Sequence, residues 1–352
     1  MSITIKNIGK DKLGRAIDSI TLKNANGASA TVMNFGATLL SVCVPDKDNN
    51  FSNVCLRYNN LSDYDRPKNG YPGATIGRFA NRIANGRFML NGKEYNITKN
   101  EGNNTLHGGA LGFGRQWWAY ECSEGKDANA VHLHYTSHDG EEGFPGNLRV
   151  QVVYLFTENN ELQINYMATC DEDTVINLTN HSYFNLANSG DCLNHEVQII
   201  SDAIVETGDG LIPTGKLLPV KNTPYDLNNF TRLSDAISKK DSHPMMARDN
   251  GFDVSYNLNT SEYHHAVTLR CPDTRRIMKV YTDQPAVQFY SGQGLKGGSL
   301  GDEGKEFVPF GGLAFETQHH PDSVNRPNFP STVLRKGEVF TSTTSYAFSV
   351  FL

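Results

Sequence analysis

The chain has 352 residues, of which 38% are hydrophobic and 20% are charged. This composition is typical of a folded globular protein and excludes a disordered chain. The 38 acidic residues outnumber the 32 lysines and arginines, which leaves a net charge of -6. An acidic surface repels phosphate backbones, and no segment approaches the about 18 consecutive apolar residues of a membrane span. We therefore expect neither nucleic acid nor a membrane as a partner.

The N-terminus and the cysteines bear on the cellular compartment. Residues Met1 to Lys10 alternate apolar and polar side chains, which predicts a first strand rather than a signal peptide. The six cysteines show no CxxC spacing, and in a long chain they indicate free thiols rather than disulfides. We expect a cytoplasmic protein.

Period-2 alternation of apolar and polar residues dominates the chain and predicts many strands. In chain order, the clearest are a hairpin of Arg87–Leu90 and Lys93–Ile97 around Asn91-Gly92, a strand at Val131–Tyr135, a hairpin of Leu148–Phe156 and Glu161–Ala168, a hairpin of Ala266–Arg270 and Ile277–Thr282, and a closing strand at Thr341–Phe351. Asn-Gly tolerates the positive φ angles of a type I′ turn. Helical signals are limited to Leu233–Lys239 and one turn at Leu61–Asp65.

Many strands separated by Gly, Asn, Asp and Pro favour an all-β fold, a large β-sandwich with few short helices. No linker, repeat or low-complexity tract divides the chain, so we expect a single domain over residues 1–352. Long polar loops on rigid sheets commonly carry function. The candidates are Thr75–Asn85, Asn103–Trp118, Asn177–Asn188 and Phe310–Pro330.

Two histidines lie in segments dense in hydrogen-bonding side chains. His107 follows Asn104-Thr105-Leu106, and His181 lies within Asn177–Asn185. Histidine is the side chain most easily poised to move a proton near neutral pH. The alternative is a structural histidine that its neighbours satisfy.

Glu316 follows the apolar run Leu313-Ala314-Phe315, where burial would raise the pKa of its carboxyl towards that of a useful general base. Asp253 and Arg82 also lie in polar motifs, but each alone is equally compatible with a salt bridge or a turn cap. Gln288 lies in an aromatic strand and needs a partner if buried.

Metal and cofactor signatures are weak. His132 and His134 share a strand face, as two zinc ligands would, but no third ligand has suitable spacing. The glycine-rich segments match neither a phosphate loop nor a dinucleotide fingerprint, and no Gly-x-Ser-x-Gly elbow is present. We expect no metal and no cofactor.

Taken together, the motifs resemble the galactose mutarotase branch of the aldose 1-epimerases, in order from about Phe35 to the C-terminus. The segments that carry the resemblance are Thr75–Gly86, Asn104–Gly109, Asp139–Gly146, Asn177–Leu186, Asn250–Asp253, Gln288–Gly292 and Glu316–Asp322.

The resemblance implies a β-supersandwich with a small-molecule sugar, a free aldohexose such as galactose or glucose, bound in an open cleft. It implies that Glu316 is the base that takes the anomeric hydroxyl proton and that His181 is the acid that protonates the ring oxygen. It further implies that His107 assists at the anomeric end. The sugar hydroxyls would be held by Asn81, Arg82, Asp253 and Gln288.

These residue types suit the opening of a cyclic hemiacetal, which removes a proton from the anomeric oxygen and delivers one to the ring oxygen. The open aldehyde then rotates and recloses on its other face. We expect Glu316 to start ionised and His181 protonated, with the neighbouring carboxylate raising the pKa of His181. The coupled pair predicts a bell-shaped dependence of the rate on pH.

Alternative functions remain at this point. They are the same chemistry on maltose or a pentose, or a noncatalytic carbohydrate-binding sandwich. A hexose 6-phosphate epimerase is disfavoured because no basic cluster adjoins the motifs. A glycoside hydrolase is disfavoured because Glu316 has no evident acidic partner. We expect a monomer or a weak homodimer.

Overall fold

The computed structural model describes residues 1–66, 70–296 and 306–351. In chain order, the strands up to residue 170 are β1 (Ser2–Lys10), β2 (Ala16–Lys23), β3 (Ser29–Met33), β4 (Thr38–Pro45), β5 (Phe51–Asn53), β6 (Thr75–Ile76), β7 (Arg82–Ile83), β8 (Arg87–Leu90), β9 (Lys93–Asn96), β10 (Thr105–Leu106), β11 (Ala119–Glu124), β12 (Ala128–Ser137), β13 (Leu148–Thr157) and β14 (Glu161–Cys170).

The remaining strands are β15 (Thr174–Val175), β16 (Thr179–Asn180), β17 (Tyr183–Phe184), β18 (Glu196–Ile199), β19 (Ala203–Thr207), β20 (Pro213–Pro219), β21 (Thr231–Arg232), β22 (Asp253–Asn257), β23 (His264–Arg270), β24 (Arg276–Thr282), β25 (Ala286–Tyr290), β26 (Leu313–Gln318), β27 (Val333–Leu334) and β28 (Val339–Val350). The α-helices of the described residues are α1 (Leu61–Tyr64), α2 (Leu233–Ile237) and α3 (Pro244–Asp249). None of these helices has the length and apolar composition needed to cross a bilayer.

Three large antiparallel sheets build the fold. The nine-stranded sheet has the order β11-β12-β13-β14-β28-β24-β23-β18-β21, the six-stranded sheet β17-β26-β25-β22-β19-β20, and the five-stranded sheet β1-β2-β3-β4-β5. One apolar cluster draws buried side chains from all three, including Val42, Val152 and Phe289. The sheets therefore pack face to face, and the prediction of a large all-β sandwich with few short helices is confirmed.

The predicted hairpins are confirmed, since β8 pairs with β9, β13 with β14 and β23 with β24, all antiparallel. Between β8 and β9, Asn91 and Gly92 both have positive φ angles, of 52° and 77°. Two predictions need correction. The Phe310–Pro330 segment is not a continuous loop, because it contains the fully buried strand β26, and the sequence analysis missed α3, which begins at Pro244.

The predicted single domain of residues 1–352 includes residues 67–69, 297–305 and 352, which lie outside the described residues. Because one apolar cluster joins all three large sheets, we propose that the chain folds as one domain.

Arg78 fastens the connection between β6 and β7 to the rest of the sandwich. The side chain is buried, and its nitrogens donate hydrogen bonds of 2.7 to 3.3 Å to acceptors on Ser137, His138, Pro145, Gly146 and Thr174. Burial lowers the pKa of the guanidinium to about 10, which leaves it charged at neutral pH. The residues that follow Arg78 are thus held in a defined place.

Candidate active site

Neighbouring strands of the six-stranded sheet present three polar side chains to one pocket. Gln288 in β25 pairs directly with Glu316 in β26 and, on its other side, with Ser255 in β22. Asp253 lies two residues from Ser255 and therefore on the same face of β22. Its Oδ1 accepts a hydrogen bond of 2.6 Å from Gln288 Nε2. The sheet thus brings Asp253, Gln288 and Glu316 together.

A short antiparallel pair positions His107 and Arg82. Arg82 in β7 pairs with Leu106 in β10, so His107 follows immediately at the end of the pair. The backbone of Asn81 then makes two bonds to His107: its N–H donates to Nδ1 at 3.2 Å, and its carbonyl accepts from the His107 N–H at 3.0 Å. Asn81 Oδ1 accepts the Arg82 N–H at 2.9 Å. Asn81 therefore orients both neighbours, while its predicted contact with sugar stays a prediction.

His181 reaches the pocket from a third element. It follows β16, which pairs with β6, and its backbone bonds to Ala74 and Gly73 at 2.9 Å each. Its Nε2 lies 3.6 Å from Glu316 Oε1. The ring centroids of His107 and His181 are 5.2 Å apart. The predicted carboxylate and imidazole therefore lie close enough to serve one small ligand.

Two tyrosines missed by the sequence analysis surround the imidazoles. The Tyr71 ring lies 4.8 Å from that of His107, and the Tyr183 ring lies 4.9 Å from that of His181. Tyr183 belongs to the Asn177–Leu186 motif, which could have indicated it, whereas Tyr71 lies outside every motif. The two rings reduce the access of water to the histidines.

Several polar atoms in this pocket lack partners. Among the described residues, His181 Nδ1, Gln288 Oε1 and Glu316 Oε2 are buried and make no hydrogen bond. Buried polar atoms are nearly always hydrogen-bonded in proteins. A ligand rich in hydroxyl groups would supply the missing partners.

Burial sets the protonation of the central pair. It raises the pKa of Glu316 well above its ordinary value, and the nearby charge of Asp253 adds to this effect. Burial also lowers the pKa of His181 to about 4. The expected rise for Glu316 is confirmed, but the expected rise for His181 is wrong, because burial desolvates the imidazolium. Burial therefore disfavours the charged forms of both groups, the Glu316 carboxylate and the His181 imidazolium.

His107 is neutral, and its tautomer follows from geometry. The Asn81 N–H can only donate, so Nδ1 of His107 is an acceptor and the proton of the neutral ring lies on Nε2. Burial, followed by the neighbouring His181 and Arg82, lowers the pKa of His107 well below its ordinary value. His107 thus offers Nε2–H as a neutral hydrogen-bond donor.

His107, His181 and Glu316 also carry donor atoms that lie within 4.8 Å of one another, a spacing that would admit a metal ion. A metal-binding imidazole must present an unprotonated nitrogen. In His107 the Nδ1 lone pair is already used and Nε2 carries the proton, so this set suits a hydrogen-bonding ligand better. Of the two histidines that the sequence analysis considered as zinc ligands, His132 bonds to Ser123 and His134 contacts Glu121.

Charged groups complete the pocket. Burial by itself lowers the pKa of Arg82. The carboxylates of Asp253, Glu101 and Glu316 have the larger combined effect, so the pKa of Arg82 is raised. Burial raises the pKa of Asp253, and Arg82 opposes that rise. The sequence analysis expected no acidic partner for Glu316, and Asp253 corrects that expectation. It also missed Glu101, for which no spacing rule gives a signal.

Comparison with known proteins shows the family of the chain. The family model described as aldose 1-epimerase matches residues 18–347. The chain is 40% identical over 340 residues to a galactose mutarotase of Mus musculus, covering 96% of this chain and 95% of that protein. It is 34% identical over 339 residues to an aldose 1-epimerase of Escherichia coli strain K12, with coverage of 95% and 96%.

Solved structures show the same fold. A galactose 1-epimerase from Lactobacillus acidophilus NCFM superposes with a TM-score of 0.88 at 25% identity, over 100% of both chains. An aldose epimerase homologue from C. elegans superposes with a TM-score of 0.86 at 27% identity, over 94% of this chain and 98% of that one. With the family model matched over nearly its whole length, the chain belongs to the aldose 1-epimerase family and is an isomerase.

Proposed function

We propose that this enzyme interconverts the α and β anomers of free aldohexoses such as galactose and glucose, with Glu316 as the general base and His181 as the general acid. The observation that carries the proposal is the distance of 3.6 Å between His181 Nε2 and Glu316 Oε1 in a buried polar pocket. The two oxygens of a hemiacetal are bonded to one carbon, so the groups that serve them must be close neighbours.

In ring opening, Glu316 takes the proton of the anomeric hydroxyl and His181 gives a proton to the ring oxygen as its bond to the anomeric carbon breaks. The products are an open aldehyde, a protonated Glu316 and a neutral His181. After rotation about the bond to the next carbon, the same groups reverse their roles and close the ring. Atoms and charges balance over the cycle, and the reaction consumes no other reagent.

Protonation of the pair determines which half of the cycle is favoured. Burial favours a protonated Glu316 and a neutral His181, the arrangement from which the ring closes. Ring opening requires the proton to move from Glu316 to His181 first. Arg82 assists, since its charge lowers the pKa of Glu316. A sugar hydroxyl that donates to Glu316 would stabilise the same ionised form.

The other polar groups fit the remaining roles. The His107 Nε2–H is a neutral donor suited to the anomeric oxygen, where negative charge develops. Arg82, Asp253 and Gln288 would hold hydroxyls elsewhere on the ring. Gln288 Oε1, which lacks a partner among the described residues, can accept a hydrogen bond from one of them.

Polarimetry of freshly dissolved α-galactose and α-glucose, with and without protein, tests the proposal. We expect faster approach to the equilibrium rotation. We expect Glu316→Gln to reduce the acceleration by at least about 10²-fold, because it removes the base. Binding of galactose by the variant, followed by calorimetry, should remain measurable.

Glu161→Gln is the matched control, since Glu161 is a half-buried strand glutamate of β14 outside the pocket. Binding without acceleration in the wild-type protein would favour the noncatalytic alternative. Acceleration with maltose or a pentose, but not with the hexoses, would assign the same chemistry to another sugar. Full activity in Glu316→Gln would contradict the assignment of the base.

The cysteines bear on the cellular location of the enzyme. No disulfide joins the six cysteines in the described part of the chain, and four of them are buried, as expected for a reducing compartment. We therefore propose a cytoplasmic enzyme. A monomeric or weakly dimeric state stays a prediction, which sedimentation analysis would test.

A further inference from the structure

Glu101 forms a two-point ion pair with Arg82 beside the catalytic pocket. Arg82 Nε lies 2.6 Å from Glu101 Oε2, and Arg82 Nη2 lies 2.8 Å from Glu101 Oε1. The Arg82 side chain is 10% exposed and that of Glu101 is 35% exposed. The pair thus spans the boundary between the pocket and an adjoining groove of 640 Å³.

This geometry uses one edge of the guanidinium and leaves another available. A guanidinium has five N–H donors in a rigid plane. Glu101 occupies the edge formed by Nε and Nη2, and Nη1 approaches Asn81 Oδ1 at 3.5 Å. The edge formed by Nη1 and Nη2 can therefore still donate two parallel hydrogen bonds, which match a pair of adjacent hydroxyl oxygens.

Arg82 has competing partners within the pocket. The charges of Asp253 and Glu316 both act on it, yet among the described residues it forms an ion pair with neither. A guanidinium paired with Glu316 would occupy the catalytic carboxylate and turn its donors away from the sugar. Glu101 supplies the alternative partner that prevents this.

The backbone holds Glu101 in a tight turn. Its N–H and carbonyl bond to the carbonyl and N–H of Asn104 at 3.1 and 2.9 Å. The neighbouring Asn100 side chain donates to the carbonyls of Leu106 and Gly109 and accepts from the Leu106 N–H. The segment that carries Glu101 is therefore joined to the segment that carries His107.

We propose that Glu101 is a positioning residue, which holds Arg82 away from the catalytic carboxylate and aims its free edge at two adjacent sugar hydroxyls. This inference rests on the proposed function. Glu101 acts only through Arg82, so its effect requires the paired N–H donors of the guanidinium, which we call the arginine fork.

A double-mutant cycle tests this dependence. Glu101→Gln should raise KM for galactose roughly ten- to a hundredfold, because it removes a charge-assisted hydrogen bond that orients Arg82. It should also lower kcat, because the released guanidinium can pair with Glu316. Glu101→Asp keeps the charge and should recover part of the loss. In an Arg82→Lys background, which lacks the fork, Glu101→Gln should change kcat/KM by less than about threefold.

Glu196→Gln is the matched control, since Glu196 in β18 pairs with Arg270 in β23, within the nine-stranded sheet and not the sheet that carries Glu316. A loss confined to kcat, or the same loss in both Arg82 backgrounds, would overturn the inference, since a merely structural role predicts those results. If the wild-type protein binds galactose without accelerating its mutarotation, the proposed function fails. The same cycle, measured on Kd by calorimetry, then decides the role of Glu101. If galactose does not bind, both proposals are wrong.

Discussion

Replacing His107 separates two roles that the side chain could play at the anomeric oxygen. The Asn81 N–H fixes Nδ1 as an acceptor, so the neutral ring presents Nε2–H. Burial lowers the pKa of His107 well below its ordinary value, which favours the neutral ring. A neutral donor can be replaced by another neutral donor, whereas a proton-transferring acid cannot. His107→Gln, whose amide can donate from a similar distance, is therefore the informative change.

The size of the effect follows from this assignment. Removing one donor aimed at a developing oxyanion typically costs about 10² to 10³-fold in kcat, and we expect this loss for His107→Ala. His107→Gln keeps a donor but not the locked ring, so we expect a loss of about tenfold or less. Both variants also lose the Asn81 bond to Nδ1, which makes their difference a measure of the donor alone.

Polarimetry on galactose gives kcat for both variants, after thermal unfolding has shown that each is folded at the assay temperature. His138→Gln serves as the control, since His138 has an exposed side chain outside the pocket. Equal inactivity of His107→Gln and His107→Ala would refute the neutral-donor role and favour proton transfer by His107.

Two further predictions concern pH and stability. Activity needs a Glu316–His181 pair that carries one proton. On the acid side, kcat/KM should fall near pH 4, where His181 binds a proton and the pair then carries two. On the alkaline side, kcat/KM should fall where the pair loses its one proton. Polarimetry across pH checks this, and an acid limb near pH 6.5 would contradict the effect of burial. Arg78→Lys replaces five donors with three and leaves buried acceptors unpaired, so it should destabilise the fold by about 2 to 6 kcal/mol. The melting temperature of Arg78→Lys should therefore fall by roughly 3 to 8 °C. The control Arg87→Lys, at an exposed position, should change the melting temperature little. Equal melting temperatures of the wild-type protein and Arg78→Lys would show that the Arg78 bonds contribute nothing.

The fold was predictable because its signals are local. Alternating side chains identified the long hairpins, and Asn91-Gly92 identified one turn. The strand β26 was mistaken for part of a loop because it is buried on both faces, so its residues do not alternate. The helix at Pro244 has a proline start signal but spans only six residues.

The site was predictable only in part. Neither periodicity nor spacing can place Glu316 beside His181, because their proximity depends on how separate strands align in the folded protein. The family resemblance supplied this prediction. The predicted direction of the His181 pKa shift was wrong because desolvation depends on burial in three dimensions. Glu101 was missed because its role appears only through contact with Arg82.

The placement of the base in the framework has a consequence for how such enzymes can diversify. Glu316, Gln288 and Asp253 stand on adjacent strands of one sheet, where hydrogen bonds to neighbouring strands restrict any shift. Arg82, which we propose holds sugar hydroxyls, is instead bonded to the short connection around Glu101. Replacing that connection with the corresponding segment of a relative should therefore change which sugars are accepted, while Glu316 and His181 keep their positions.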